Sequence, residues 1–319
     1  MPAALHRALY DAGLFHFLLP KDVGGYDVPL PEALRIFQAL AEIDASTAWC
    51  VAIGGGTAAF GSMMSPEAVS RSLWSQPLGV AAGTFMPSGK AVLEDGVYHV
   101  SGRWAFCSGC VGAGWYLAYC VVYDGNELRI DETGKPGVVA LPVPMTDCRI
   151  DPTWDSAGLR GTGSHHVSIE AASVPAAYGF DLFGAGQPGT PLHGFPLWAM
   201  LDSSLTAIMT GVVRAAFSDL FKLFGARAQE KGGLESFPVS VALEVAELLA
   251  EAEAWRTRVF DAVDRSWEKA LLSRANGGAT IDDGLDLRLA SKVAARRGPK
   301  LVSAVALLAG GRSLVESAD

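Results

Sequence analysis

The chain has 319 residues, half of them hydrophobic, a formal net charge of −9 and charged residues at only 18%. That is enough apolar material for a large buried core. The acidic balance and the absence of any run of like charge speak against nucleic acid as a partner. No stretch approaches the roughly 20 apolar residues of a spanning helix, and MPAALHRALYDAG lacks the apolar core of a signal peptide, so a cytoplasmic protein without a membrane partner is expected. Five cysteines, an odd number in a long chain, are expected to be reduced thiols rather than a disulfide framework.

The first third reads as helix. In PLPEALRIFQALAEIDAS, Pro31 suits a first helical position, and Leu34, Phe37, Leu40 and Ala41 share a face. TAWCVAIGGGTAAFGSMM is apolar and rich in small residues; Gly54 to Gly56 would weaken an isolated helix by about 1 kcal/mol each, so close packing at a tight helix crossing, or else close approach by a ligand, is expected there. From Leu78 to about Phe180 short Val-, Tyr- and Ile-rich runs alternate with Gly, Pro and Asp clusters, as in an antiparallel barrel or sandwich. From Leu197 helix returns. Val241, Val245, Leu248, Ala252, Trp255 and Val259 step by fours and threes along one stripe, Trp198 to Phe224 is apolar on most faces as at the centre of a bundle, and Gly298-Pro299 is expected to break or kink the last helix. The order helices, barrel, bundle divides the chain into 1–77, 78–190 and 191–319.

SGRWAFCSGC carries a C-x-x-C pair, Cys107 and Cys110, but Cys120 and Cys148 are too scattered to complete a zinc site, and the glycines that follow disfavour the helix start of a redox motif. No metal site is expected. The residues between offer more. If the segment is extended, Phe106 and Ser108 point to one face, an aromatic ring and a hydroxyl suited to a flat heteroaromatic ligand. A second glycine-rich stretch, WDSAGLRGTGSHHVSIEAASVP, presents Arg160, Thr162 and Ser164; it could hold a phosphate or a ring edge, or equally form a β-bulge and turn. His165 and His166 should face opposite sides of a strand and read as surface or satisfied polar groups. P-loop, dinucleotide, G-x-S-x-G and H-E-x-x-H motifs are absent from the sequence.

Taken in order, AGLFHFLLPKDVGGYDVPL, IDASTAWC, SGRWAFCSGCVGAGW, AGLRGTGSHHV followed by VP, and LAGGRSL resemble the acyl-CoA dehydrogenase superfamily over nearly the whole chain. The flavin loop is most similar to the branch of two-component flavin monooxygenases, where G-R-W-x-F-x-S-G is usual. The resemblance implies an α+β fold: an N-terminal helical domain, a middle antiparallel β-barrel and a C-terminal four-helix bundle, here expected to be incomplete. It implies FAD or FMN at the subunit interfaces of a homotetramer or homodimer, and a separate flavin reductase as partner. It places Phe106 against the isoalloxazine, Ser108 at its reactive edge, and Trp104, Gly109, Arg160, Thr162 and Ser164 in the cofactor site. Arg227 falls where the family reaches a neighbouring subunit's flavin phosphates, although Glu230-Lys231 replaces the Phe-Gly that usually follows.

Two chemistries are implied. A dehydrogenase acting on an acyl-CoA thioester needs a carboxylate base; one branch carries it where Leu201-Asp202 stands, which makes Asp202 the candidate, and the commoner branch in a segment that would lie beyond Asp319. The monooxygenase branch often has a histidine where Thr57 stands, which makes Thr57 the candidate there, a ligand for hydrogen bonds rather than a proton shuttle. The leading expectation is a monooxygenase acting with reduced flavin and oxygen on a small organic substrate. The alternatives are the acyl-CoA dehydrogenase and a non-catalytic flavin-binding paralogue.

Overall fold

The computed structural model describes residues 1–72, 79–131, 134–182, 192, 195–231, 238–275 and 280–310. Two compact units emerge: one of Met1–Pro29 with Trp49–His193, the other of Leu30–Ala48 with Gly194–Asp319. The N-terminal helices thus divide between the units.

The first unit holds α1 (Ala3–Asp11), most of α3 (Ala45–Gly61), α4 (Pro66–Ser72) and eight strands: β1 (Ala81–Gly83), β2 (Gly89–Glu94), β3 (Val97–Cys107), β4 (Trp115–Asp124), β5 (Glu127–Leu128), β6 (Val138–Pro144), β7 (Arg149–Asp151) and β8 (His165–Pro175). Their path runs β1-β4-β2-β3-β8-β7, with β5 and β6 also pairing β4, and among the described residues it does not close. The expected antiparallel barrel is therefore corrected to an open, mixed sheet. Two parallel pairings, β1 with β4 and β2 with β4, make it mixed, and the second follows from a crossover. β2 and β3 form a hairpin over Asp95-Gly96, both at positive φ as a tight two-residue turn demands. That hairpin takes one edge of β2 and leaves the other to β4, which the chain reaches through residues 108–114 and which runs parallel to β2. The SGRWAFCSGC segment ends on this crossover.

The sheet's core is built on Trp104, Tyr116, Leu141, Val143 and Val167, all fully buried. Gly89 is required by it, since a Cβ there would lie 2.2 Å from the Trp104 indole. In α3 the glycine run answers the packing expectation at two of its three positions. A Cβ on Gly54 would sit 2.8 Å from Phe15, and one on Gly55 3.1 Å from Phe17.

The second unit holds α2 (Leu30–Ile43), α5 (Leu197–Lys231), α6 (Val239–Ala275) and α7 (Leu285–Ala309). α2 buries Leu34, Phe37 and Ala41, and α6 buries Val245, Ala252, Trp255 and Val259, while Leu40, Val241 and Leu248 of the same stripes are half-buried. α2 packs closely on α5, where a Cβ on Gly211 would meet the Gln38 carbonyl at 2.4 Å. Of the break or kink expected at Gly298-Pro299, the break does not occur: α7 continues through Pro299. Pro299 there forgoes one helical hydrogen bond, and Gly298 lets α7 approach Met209 of α5, where a Cβ would lie 2.6 Å from Met209 Cγ. Among the described residues no helix is long and apolar enough to cross a membrane.

Candidate functional site

The site is built where β3 breaks its own pattern. Pairing with β8 runs Trp104↔Val167 and then Cys107↔His165, so three steps on one strand oppose two on the other: a β-bulge. Phe106 sits in it at φ +60°, a left-handed conformation that is a genuine outlier for a bulky residue. The bulge overturns the expected alternation. Phe106 is 67% exposed, whereas Ser108 is buried, so ring and hydroxyl do not share the common environment that regular alternation would give them. The Phe106 ring meets Trp154 and His166 edge-on, with centroids at 6.4 and 5.9 Å.

Behind the bulge Ser108 joins a chain of hydroxyls. Its Oγ accepts from Trp49 Nε1 on α3 at 2.9 Å and lies 2.8 Å from Ser164 Oγ; Ser164 Oγ lies 2.7 Å from Thr162 Oγ1, which donates to the Leu159 carbonyl at 2.8 Å. Ser108, Ser164 and Thr162 are all buried. The same carbonyl accepts from the Thr162 N–H and from Trp154 Nε1, both at 3.1 Å, and Leu159 is itself left-handed at φ +53°. The second glycine-rich segment is thus a self-locked loop. It adopts the turn reading, a short 3₁₀ turn over Arg160–Thr162, and still brings its hydroxyls to Ser108. Gly109 N–H donates to the Thr162 carbonyl at 2.9 Å and Cys110 Sγ to the Gly163 carbonyl at 3.5 Å, which ties the two loops together.

Beside this seam lies a cleft of about 680 Å³. Gly109 and Val111 wall it from one loop, and Arg160, Thr162, Gly163 and His165 from the other. Arg160 is exposed, with Asp155 at 3.3 Å and the Ser156 carbonyl at 3.0 Å. His165 Nδ1 accepts the Trp154 N–H at 3.0 Å, so one ring nitrogen is committed to the loop, while His166 stands beside Phe106.

The remaining sequence candidates have partners of their own. Trp104 is corrected from cofactor ligand to core: it is fully buried, and its indole N–H donates to the Tyr119 carbonyl at 2.9 Å. Thr57 lies eight residues beyond Trp49, about 12 Å along α3, where its methyl faces Gly83 in small voids of about 10 Å³. Asp202, in the second unit, is held by Arg288 at 3.0 Å and Lys292 at 2.8 Å. Arg227 donates to the Ala309 carbonyl at 2.7 Å, closing the end of α7. The side chains of Glu230 and Lys231, and Gly311–Leu314 of the LAGGRSL match, lie outside the described residues.

Cys107 and Cys110 are buried thiols. Cys107 lies 3.3 Å from the Tyr116 hydroxyl; burial raises its pKa and pushes that of Cys110 up to about 12. Both are therefore protonated and poor nucleophiles at neutral pH. Trp49, Trp154 and Leu159 were not reached by sequence reasoning, because nothing in local spacing points from Trp49 to a serine 59 residues away.

The donor set fits a flat heteroaromatic cofactor. Phe106 offers an exposed aromatic face. Gly109 leaves its backbone open: among the described residues a Cβ there would meet only Cys50 Sγ, at 4.0 Å. Ser108 Oγ, with one acceptor position taken by Trp49, retains another.

Comparison with known proteins agrees with this frame. Residues 203–319 match the model of the acyl-CoA dehydrogenase C-terminal domain. The indole-3-acetate monooxygenase of Acinetobacter baumannii is 30% identical over 302 residues, covering 93% of this chain and 74% of that protein. The oxygenase component of the FADH(2)-dependent resorcinol hydroxylase of Rhizobium sp. is 28% identical over 270 residues, 80% of this chain and 64% of that one. The crystal structure of the 3-HSA hydroxylase from Rhodococcus sp. RHA1 superposes with a TM-score of 0.85 over 99% of this chain and 81% of that one; at 23% identity this shows the fold. The chain belongs to the acyl-CoA dehydrogenase superfamily, in its branch of flavin-dependent monooxygenases.

Proposed function

We propose that this protein is the oxygenase of a two-component system, taking reduced FAD or FMN from a separate reductase and using it with oxygen to hydroxylate a small aromatic substrate. The observation that carries the proposal is Phe106: a large apolar ring, exposed and held in a strained backbone conformation, backed by a buried hydroxyl network in the loop that resembles the branch's flavin loop. Strain of this kind persists only where surrounding contacts impose it, and it clusters at ligand sites. The two relatives named for indole-3-acetate and resorcinol support the aromatic class.

Bound in this site, the reduced flavin supplies the electrons that activate oxygen. The chain's own part is to hold it. Phe106 would pack against the ring, Ser108 would meet its edge, Gly109 would let it approach the backbone, and Arg160, which lines the cleft, would offer a fork suited to phosphate oxygens. In a homotetramer or homodimer Arg227 serves a neighbouring copy; it keeps further N–H donors beyond the one given to Ala309. The dehydrogenase alternative is less favoured, because it asks Asp202 to take a proton while Arg288 and Lys292 grip both of its oxygens.

Anaerobic titration with dithionite-reduced FAD and FMN tests the reading. Saturable binding is expected, followed by substrate-dependent oxygen consumption when a flavin reductase is supplied. Folded protein that binds flavin in neither redox state would overturn it.

A further inference from the structure

The hydroxyl chain behind the flavin loop has a forced direction. Three short O···O contacts link Ser108, Ser164, Thr162 and the Leu159 carbonyl, at 2.8, 2.7 and 2.8 Å. Each needs one proton between its oxygens, and the three hydroxyls supply three. A carbonyl cannot donate, so the Thr162 proton points to Leu159. The Ser164 proton then points to Thr162, and the Ser108 proton to Ser164. Trp49 N–H closes the other end, since an indole only donates. Ser108 therefore has no proton left for a ligand; it can only accept.

We infer that Ser164 and Thr162 make this site selective for reduced over oxidised flavin, by holding the Ser108 proton away from the ligand. The inference rests on the proposed reading that Ser108 meets the flavin's redox-active edge. There the central ring carries a nitrogen lone pair when oxidised and an N–H when reduced. An acceptor-only Ser108 suits the N–H and opposes the lone pair, and a buried polar pair with mismatched polarity forfeits its hydrogen bond. Ser164 and Thr162 are positioning residues, acting through Ser108. They give an oxygenase supplied from outside a reason to bind flavin reduced and to release it oxidised.

The test is the ratio of dissociation constants for reduced and oxidised FAD, and likewise FMN, measured anaerobically by fluorescence or calorimetry with no turnover. Wild type is expected to favour the reduced form by about tenfold or more, the size of one well-made hydrogen bond. Ser164→Ala removes the acceptor of the Ser108 proton and frees it to donate, so the ratio should fall about tenfold, with the oxidised form bound no more weakly than by wild type. Thr162→Val strands the Ser164 proton, lets the chain reverse and should lower the ratio in the same sense. Thr162→Ser keeps the hydroxyl and should retain the wild-type ratio, which separates the effect from general damage; circular dichroism checks that each variant is folded. A wild-type ratio near one, an unchanged ratio in both folded Ser164→Ala and Thr162→Val, or a ratio lost equally in Thr162→Ser would overturn the inference while flavin binding still stands. Wild type that binds neither form would instead overturn the reading beneath it.

Discussion

Phe106→Gly should weaken flavin binding while leaving stability almost untouched, a combination that a core phenylalanine could not give. The left-handed backbone at φ +60° costs a side-chain-bearing residue about 1–2 kcal/mol, which glycine does not incur. Against that relief, glycine's freer unfolded chain costs about 0.5–1 kcal/mol. The edge contacts to Trp154 and His166, on a ring already 67% exposed, account for about a further 1 kcal/mol. The terms nearly cancel, whereas truncating a buried phenylalanine costs about 3–5 kcal/mol. Urea denaturation followed by fluorescence should thus place Phe106→Gly within about 1 kcal/mol of wild type, and above Phe106→Ala, which keeps the strain and loses the ring. Anaerobic titration should show reduced flavin bound about tenfold more weakly by both variants. A stability loss near 3 kcal/mol would show that the ring belongs to the core. Unchanged flavin affinity in the two variants would remove Phe106 from the site.

Two further outcomes follow from charge and burial. Asp151 is held at a pKa of about 2 by Ser168, Arg149 and Arg103, below its unfolded value of 3.8; its contribution is present above pH 3.8 and lost as pH falls through 2. Asp151→Asn should therefore lower the urea midpoint at pH 7 but converge on wild type near pH 2; an equal deficit at both would refute the linkage. Cys107 and Cys110, with thiol pKa values raised by burial, should resist iodoacetamide at pH 8 in the folded protein and react fast in urea, read by mass spectrometry; rapid native alkylation of Cys110 would contradict its burial.

The helices were legible because one element suffices to display their period: the stripe from Val245 to Val259 in α6 needs no partner to be seen, and the structure buries it. Strand content was legible for the same reason. Sheet topology was not, since the parallel pairing of β2 with β4 depends on which edge the β2–β3 hairpin leaves open, a question decided between strands rather than along them. Nor could the sequence decide between the break and the kink it suggested at Pro299, where the helix continues. The proline's local penalty is real, but the close approach of Gly298 to Met209 is a tertiary term that the sequence around it does not display.

In the candidate site, sequence singled out Phe106, Ser108, Thr162 and Ser164 but misread how β3 presents the first two, and the bulge is the cause. A strand that kept its alternation would have put Phe106 and Ser108 on the same face; the bulge turns one outward and the other in, where it can be reached by Trp49 from α3 and Ser164 from the second loop. The glycines of the second loop signalled only a turn, and that turn is what delivers Thr162 and Ser164. Departure from local rules is therefore the informative signal here. A left-handed phenylalanine and a left-handed leucine, Phe106 and Leu159, mark the two ends of the arrangement: one presents the ring, and the other presents the carbonyl that gives the hydroxyl chain its direction. Neither conformation is favoured by its own residue type, so both are imposed by the contacts between the two loops, and a substitution that loosens those contacts should disturb ring and hydroxyl together.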